Sequence, residues 1–296
     1  MGLSVGKYYQ DVGQSFRNPP DRFTNQARIN PMLVFAAITP HPPIVIPTIG
    51  KDNMKFVTKT VNAYRELGED MYAARPDTII VISPHGPMLQ NAFAINLMPR
   101  FGANFEEFGD LVTWFTIPGD VGFTHQLKEH IETRYPVVLM SQEKLDHGVG
   151  VPLYFLTQNL NRNNVKLIPM SFSLLDYESH FEFGRALQEE IINDNRRIAV
   201  VASGDLSHKL TEHSPAGYNP KAKEFDEHLI QLIKKNDVAG ILHLNRELVE
   251  EAAECGLRSI IILLGILNSM RVKPNIMSYE APFGVGYLTA SFTLGN

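Results

Sequence analysis

Of the ten histidines among the 296 residues, four stand where a fold would place reactive groups. Ile38-Thr39-Pro40-His41-Pro42-Pro43 puts an imidazole directly after an apolar run, and Ile82-Ser83-Pro84-His85-Gly86-Pro87 repeats that arrangement. Val200-Val201-Ala202-Ser203-Gly204-Asp205-Leu206-Ser207-His208 does so a third time. Asp146-His147-Gly148-Val149-Gly150 sets a fourth imidazole beside a flexible turn that runs into a helix. The prolines and glycines stiffen these loops and let backbone approach closely, as a preorganised site requires. His125, His130, His180, His213, His228 and His243 lack such a setting and read as ordinary surface or helix residues.

Two neutral imidazoles and one carboxylate form a facial triad that leaves open positions on a non-haem Fe(II), and zinc accepts the same donors. Glu250-Glu251-Ala252-Ala253-Glu254-Cys255-Gly256 brings carboxylates and the only thiol ahead of a very apolar helix. Most of that acidic cluster reads as a solvated helix face. Glu254 stands out because it adjoins Cys255-Gly256, where the chain turns into a buried stretch. Neither an HExxH nor a CxxC signature is present, so spacing alone does not choose the metal.

The elements that must position these groups are strands alternating with helices. Leu33–Ile38 and Thr78–Ile82 are apolar and continuous, as strands buried on both faces are. Further strands are predicted at Phe93–Leu97, Leu111–Thr116, Val137–Met140, Val165–Met170, Ile198–Ala202 and Tyr287–Thr293. Helices are predicted at Asn53–Ala74, Thr124–Thr133, Val151–Leu160, Tyr177–Asp194, Pro220–Lys235, Val238–Leu242, Arg246–Ala253 and Leu257–Ser269. The alternation favours an α/β sandwich over an all-β fold. In such sheets the loops after parallel strands converge on one crevice, so histidines at three strand exits can meet there. The segments Met98 to Leu111 and Thr211 to Pro220 read as loops that contribute to the pocket walls.

Composition narrows the function classes. The chain is 44% hydrophobic with 17 Phe, enough to repay the entropy of folding. A net charge of -5 argues against a nucleic-acid scaffold, which needs clustered Lys and Arg. The single Cys255 cannot form an internal disulfide, so a reducing cytoplasm is the expected compartment. The longest strongly apolar stretch, Ile260 to Leu267, is far short of a membrane span. Residues 1–31, rich in Gln, Asn, Arg and Pro, read as an extension ahead of one catalytic domain over residues 32–296.

Taken together, T-P-H-P-P, S-P-H-G-P, D-H-G-V-G-V-P-L, S-G-D-L-S-H and E-C-G-L-R resemble the class III extradiol dioxygenases, the LigB-like superfamily, in the family's order. The terminal Ala281-Pro282-Phe283-Gly284-Val285-Gly286-Tyr287-Leu288 is similar to the Memo-like branch of that superfamily. The resemblance implies a three-layer α/β/α sandwich around a mixed sheet, and oligomers. It also implies His41, His85 and Glu254 as metal ligands, His208 as acid and base, His147 as a substrate contact and Asp205 as orienting His208. The implied activity is Fe(II)-dependent extradiol cleavage of a catechol or aminophenol with O2. The alternative is a Memo-like copper- or zinc-binding redox or adaptor protein without ring cleavage. In Memo-like proteins a cysteine at the position of Cys255 can take the third ligand role, so Glu254 and Cys255 present both options side by side. A carboxylate favours iron, a thiolate copper or zinc. A zinc hydrolase has no specific motif here. The expected partners are a small aromatic, O2, further copies of the chain and, in addition, a small partner subunit.

Overall fold

The computed structural model describes residues 32–295. The expected N-terminal extension lies outside the described residues. In chain order the elements are β1 (Leu33–Thr39), the single turn α1 (Pro47–Gly50), α2 (Thr58–Ala74), β2 (Thr78–Ser83), β3 (Phe93–Asn96), β4 (Arg100–Phe105) and β5 (Asp110–Pro118). There follow α3 (Val121–Ile131), β6 (Val137–Met140), α4 (His147–Leu156), β7 (Lys166–Ser171), α5 (Tyr177–Ile192) and β8 (Ile198–Ser203). The chain continues through α6 (Lys221–Lys235), α7 (Val238–Leu242), α8 (Arg246–Ala252), α9 (Leu257–Ile266), β9 (Val272–Glu280) and β10 (Tyr287–Leu294).

Eight strands form one sheet in the order β6-β3-β7-β2-β8-β1-β10-β9, and β4 and β5 form a separate hairpin. The sheet is mixed: β7, β2, β8 and β1 run parallel, whereas β10 joins β1 and β3 joins β7 in antiparallel fashion. Along the central strands successive side chains serve opposite cores. Ile80, Ile82, Val200 and Ala202 face one core, which α3, α5, α6 and α9 complete. Ile79, Val81, Ala199 and Val201 face the other, which is covered by α2, α4 and the β4–β5 hairpin. This is the expected three-layer sandwich with apolar strands buried on both faces. Among the described residues no helix is long and apolar enough to cross a membrane.

Local chemistry sets the boundaries near the site. Helix α4 begins at His147, four residues earlier than its apolar run predicts. The cause is Asp146, whose carboxylate accepts from the Val149 amide at 3.1 Å and caps the first turn. Helix α2 starts only after a 3-10 stretch, Lys51–Phe56, and stops where Arg75 adopts a left-handed conformation before Pro76. Helix α9 is buried at every position except Arg258, so its start is held rigidly against the sheet.

Candidate metal centre

Strands β2, β8 and β1 lie side by side, and the segments leaving their carboxyl ends carry His85, Asp205 with His208, and His41. His41 is the most confined. Its backbone amide donates to Asp205 Oδ1 at 2.9 Å, and its Nδ1 lies 3.0 Å from Ser203 Oγ. Ser203 Oγ donates its own proton to the Gly148 carbonyl at 2.5 Å. The hydroxyl therefore accepts from Nδ1–H, which leaves Nε2 bare and directed into the site.

His85 is exposed at the mouth, with Nε2 only 2.9 Å from His41 Nε2. Its amide donates to Ser83 Oγ at 3.2 Å, and Ser83 Oγ donates to Asp146 Oδ1 at 2.6 Å. One carboxylate thus ties the exit of β2 to the start of α4. His147 follows from that cap. Its ring centroid is 4.1 Å from that of His85, 5.4 Å from that of His41 and 5.2 Å from the ring of Phe108. One ring nitrogen from each of the three imidazoles lies within 4.8 Å of the others. Gly148 permits this approach, because a methyl group there would collide with Ser83 Oγ and press on His85.

Burial is the main force on all three imidazoles. It holds His41 well below the ordinary range, with repulsion from His85, His147 and His208 adding to the effect. It takes His85 to about 4, with further depression from His147, and lowers His147 against the opposing pull of Asp146. The three are neutral at physiological pH and have lone pairs available for a cation.

Adjacent residues at the start of α9 diverge. Cys255 Sγ lies 3.7 Å from His41 Nε2, and the thiol is pushed well above its usual pKa by burial and by nearby carboxylates. Its sulfur accepts from the Asp205 amide at 3.3 Å. Glu254, expected as the third ligand, stands apart from the imidazoles. Its carboxylate accepts from the Leu257 amide at 2.5 Å and faces a cleft with Tyr177 and Arg258, and burial raises it to about 7. The physical reason is the turn before α9: successive side chains leave it on opposite sides, and the helix amide claims the carboxylate.

Asp205 is buried beside His41, its Oδ2 3.9 Å from Nε2, and burial raises it to about 7. It orients His41 through the backbone rather than His208, the partner expected for it. His208 has a buried Nδ1 with no hydrogen-bond partner among the described residues, and burial lowers its pKa. Its backbone is fixed by the Ala252 carbonyl at 3.0 Å. Beneath it, the buried Asp226 accepts from the Ser207 amide at 2.9 Å and from the Tyr279 hydroxyl at 2.6 Å. Ser83, Ser203, Asp146 and Asp226 were not singled out from sequence. The two serines did lie inside the quoted S-P-H and S-G-D motifs, where a hydroxyl closing a strand was the available signal.

The donor set suits a metal ion. Between a right and a tetrahedral angle, two metal–imidazole bonds of about 2.1 Å place their nitrogens about 3.0 to 3.4 Å apart, and a metal–thiolate bond of about 2.3 Å places sulfur about 3.1 to 3.6 Å from nitrogen. The observed separations of 2.9 Å and 3.7 Å lie at the opposite edges of these ranges, and the donors that all lie within 4.8 Å of one another are those of His41, His85 and His147.

The family model for the catalytic LigB subunit of aromatic ring-opening dioxygenase matches residues 35–290. Protein CA_C1420 of Clostridium acetobutylicum is 32% identical over 260 residues, covering 84% of this chain and 55% of that protein. The chain thus spans little more than half of that relative's length. MEMO1 family proteins of Methanococcoides burtonii and Methanocaldococcus jannaschii are 26% and 24% identical, covering 69% and 74% of this chain and 86% and 70% of their own lengths. The crystal structure of uncharacterized protein JW3007 from Escherichia coli K12 shares the fold with a TM-score of 0.63 at 20% identity, covering 88% of this chain and all of that one.

Proposed function

The chain belongs to the family of catalytic LigB subunits of aromatic ring-opening dioxygenases, and from that premise we propose that it is a Memo-like redox protein whose metal ion is held by His41 and His85, with the thiol of Cys255 drawn in as the third donor. One observation carries this reading: the thiol of Cys255, not the carboxylate of Glu254, faces His41. Neutral imidazoles with a thiolate favour copper or zinc over iron. Bound there, copper would supply one-electron exchange at the open end of the site. The protein's part is to keep His41 neutral with Nε2 bare, to give up the Cys255 proton on loading, and to present His85 and His147 toward solvent.

A second reading, extradiol cleavage of a catechol or aminophenol with Fe(II) and O2, is favoured by His208, whose buried ring nitrogen is unpartnered beside the imidazoles. Under it His208, kept neutral by burial, takes the proton of a substrate hydroxyl and returns it later, as a general base and acid.

Anaerobic titration of the purified chain with Cu(I), and separately with Fe(II), against a competing chelator separates the two. The first reading expects one copper per chain, affinity lowered at least about tenfold in Cys255→Ser, and no change in Glu254→Gln. Iron held through Glu254, with catechol-dependent oxygen uptake that falls roughly 100- to 10,000-fold in His208→Phe, would replace it with the second.

A further inference from the structure

A second cleft opens on the far side of the peptide that carries Cys255. It has a volume of about 350 Å³ and is walled by the loop before α5, by α8 and by the first turn of α9. Arg246 and Arg258 both line it. Other arginines of the fold are engaged: Arg134, Arg185 and Arg196 are paired with carboxylates, and Arg197 donates to the carbonyls of Ala74 and Arg75. Arg246 and Arg258 form no ion pair or hydrogen bond among the described residues, and the Nε of Arg258 is buried without a partner.

The Arg258 guanidinium is not loose. It lies 5.4 Å from the ring centroid of Tyr177 and 5.9 Å from that of Phe172. Contact with the aromatic faces holds the guanidinium at the wall of the cleft. Its Nε is closed off, so the terminal guanidinium nitrogens, which are neither buried nor hydrogen-bonded among the described residues, are the donors open to an acceptor in the cleft. Leu174, Leu175 and Val249 supply an apolar wall beside it.

We propose that this cleft binds a small organic carboxylate, gripped by Arg258 and Arg246, with its apolar body against Leu174, Leu175 and Val249. The planar fork of Arg matches a carboxylate through paired N–H···O bonds. The neighbouring acids select the charge of the ligand. Asp176, Glu250 and Glu254 also line the cleft, so a phosphate dianion meets repulsion that a single carboxylate meets less. The volume is near the lower end of small-molecule pockets and suits a compound of benzoate size. The assignment does not depend on which metal the histidines hold.

The test is titration calorimetry of the full chain with benzoate, its neutral isostere benzamide, and inorganic phosphate. Benzoate is expected to bind saturably and benzamide not at all, with affinity lowered about tenfold or more in Arg258→Gln and in Arg246→Gln. Binding should persist in His85→Ala, which alters only the imidazole cluster. Arg246 is exposed, so its variant reports even where the Arg258 variant fails to fold. No saturable binding of benzoate up to ~10 mM would overturn the proposal. Equal binding of benzamide, indifference to both arginine variants, or phosphate binding more tightly than benzoate would do the same.

Discussion

At the scale of single residues, the hydroxyl of Ser203 decides which nitrogen of His41 is free. Its proton goes to the Gly148 carbonyl, so its lone pair must take Nδ1–H. Removing an outer partner of this kind commonly lowers metal affinity 10- to 100-fold. Ser203→Ala is therefore expected to weaken the bound ion by about that factor in chelator competition, with the circular dichroism spectrum unchanged. An unaltered affinity would show that the hydroxyl does not set the tautomer. The histidines themselves were legible in the sequence, because Pro and Gly marked each one at a strand exit. The choice between Glu254 and Cys255 was not. They are neighbours in a non-helical turn, where no periodicity says which side chain faces the sheet.

At the scale of elements, the site depends on two backbones crossing without side chains between them. Gly204 leaves β8 and Gly256 precedes α9, and a methyl group on Gly204 would fall on the Gly256 backbone. That contact brings Cys255 to Asp205, whose carbonyl accepts from the Cys255 and Gly256 amides at 3.2 Å and 3.0 Å. Gly204→Ala should cost about 1–3 kcal/mol through forced overpacking. A lower urea midpoint together with loss of the ion is expected, whereas unchanged stability would mean the crossing is slack. Two strands escaped the sequence reading for identifiable reasons. In β4 the inward Phe101, Ala103 and Phe105 alternate properly, but Gly102 and Asn104 between them signal a loop. In β9 the pair Pro274-Asn275 signals a turn, yet at the sheet edge proline is tolerated.

At the scale of the whole molecule, burying the sheet on both faces forces carboxyls into dry places, and Asp226 beneath the His208 loop is one of them. Burial raises it to about 7, against an ordinary value near 3.8. Between about pH 4 and 7 the folded chain keeps a proton that the unfolded chain has released, so its contribution to stability falls as pH rises and stays low above 7. Asp226→Asn removes that dependence. The variant should gain on the parent by about 3 kcal/mol between pH 4.5 and 8, measured by urea unfolding at each pH. A constant difference would place the proton elsewhere. The three imidazoles also differ in depth, with His41 at 2% exposure, His147 half-buried and His85 at the surface. Traffic through the site therefore has a direction. An ion entering the site would meet His85 first and His41 last and would release them in reverse, so the exposed ring would govern exchange and the buried ring retention.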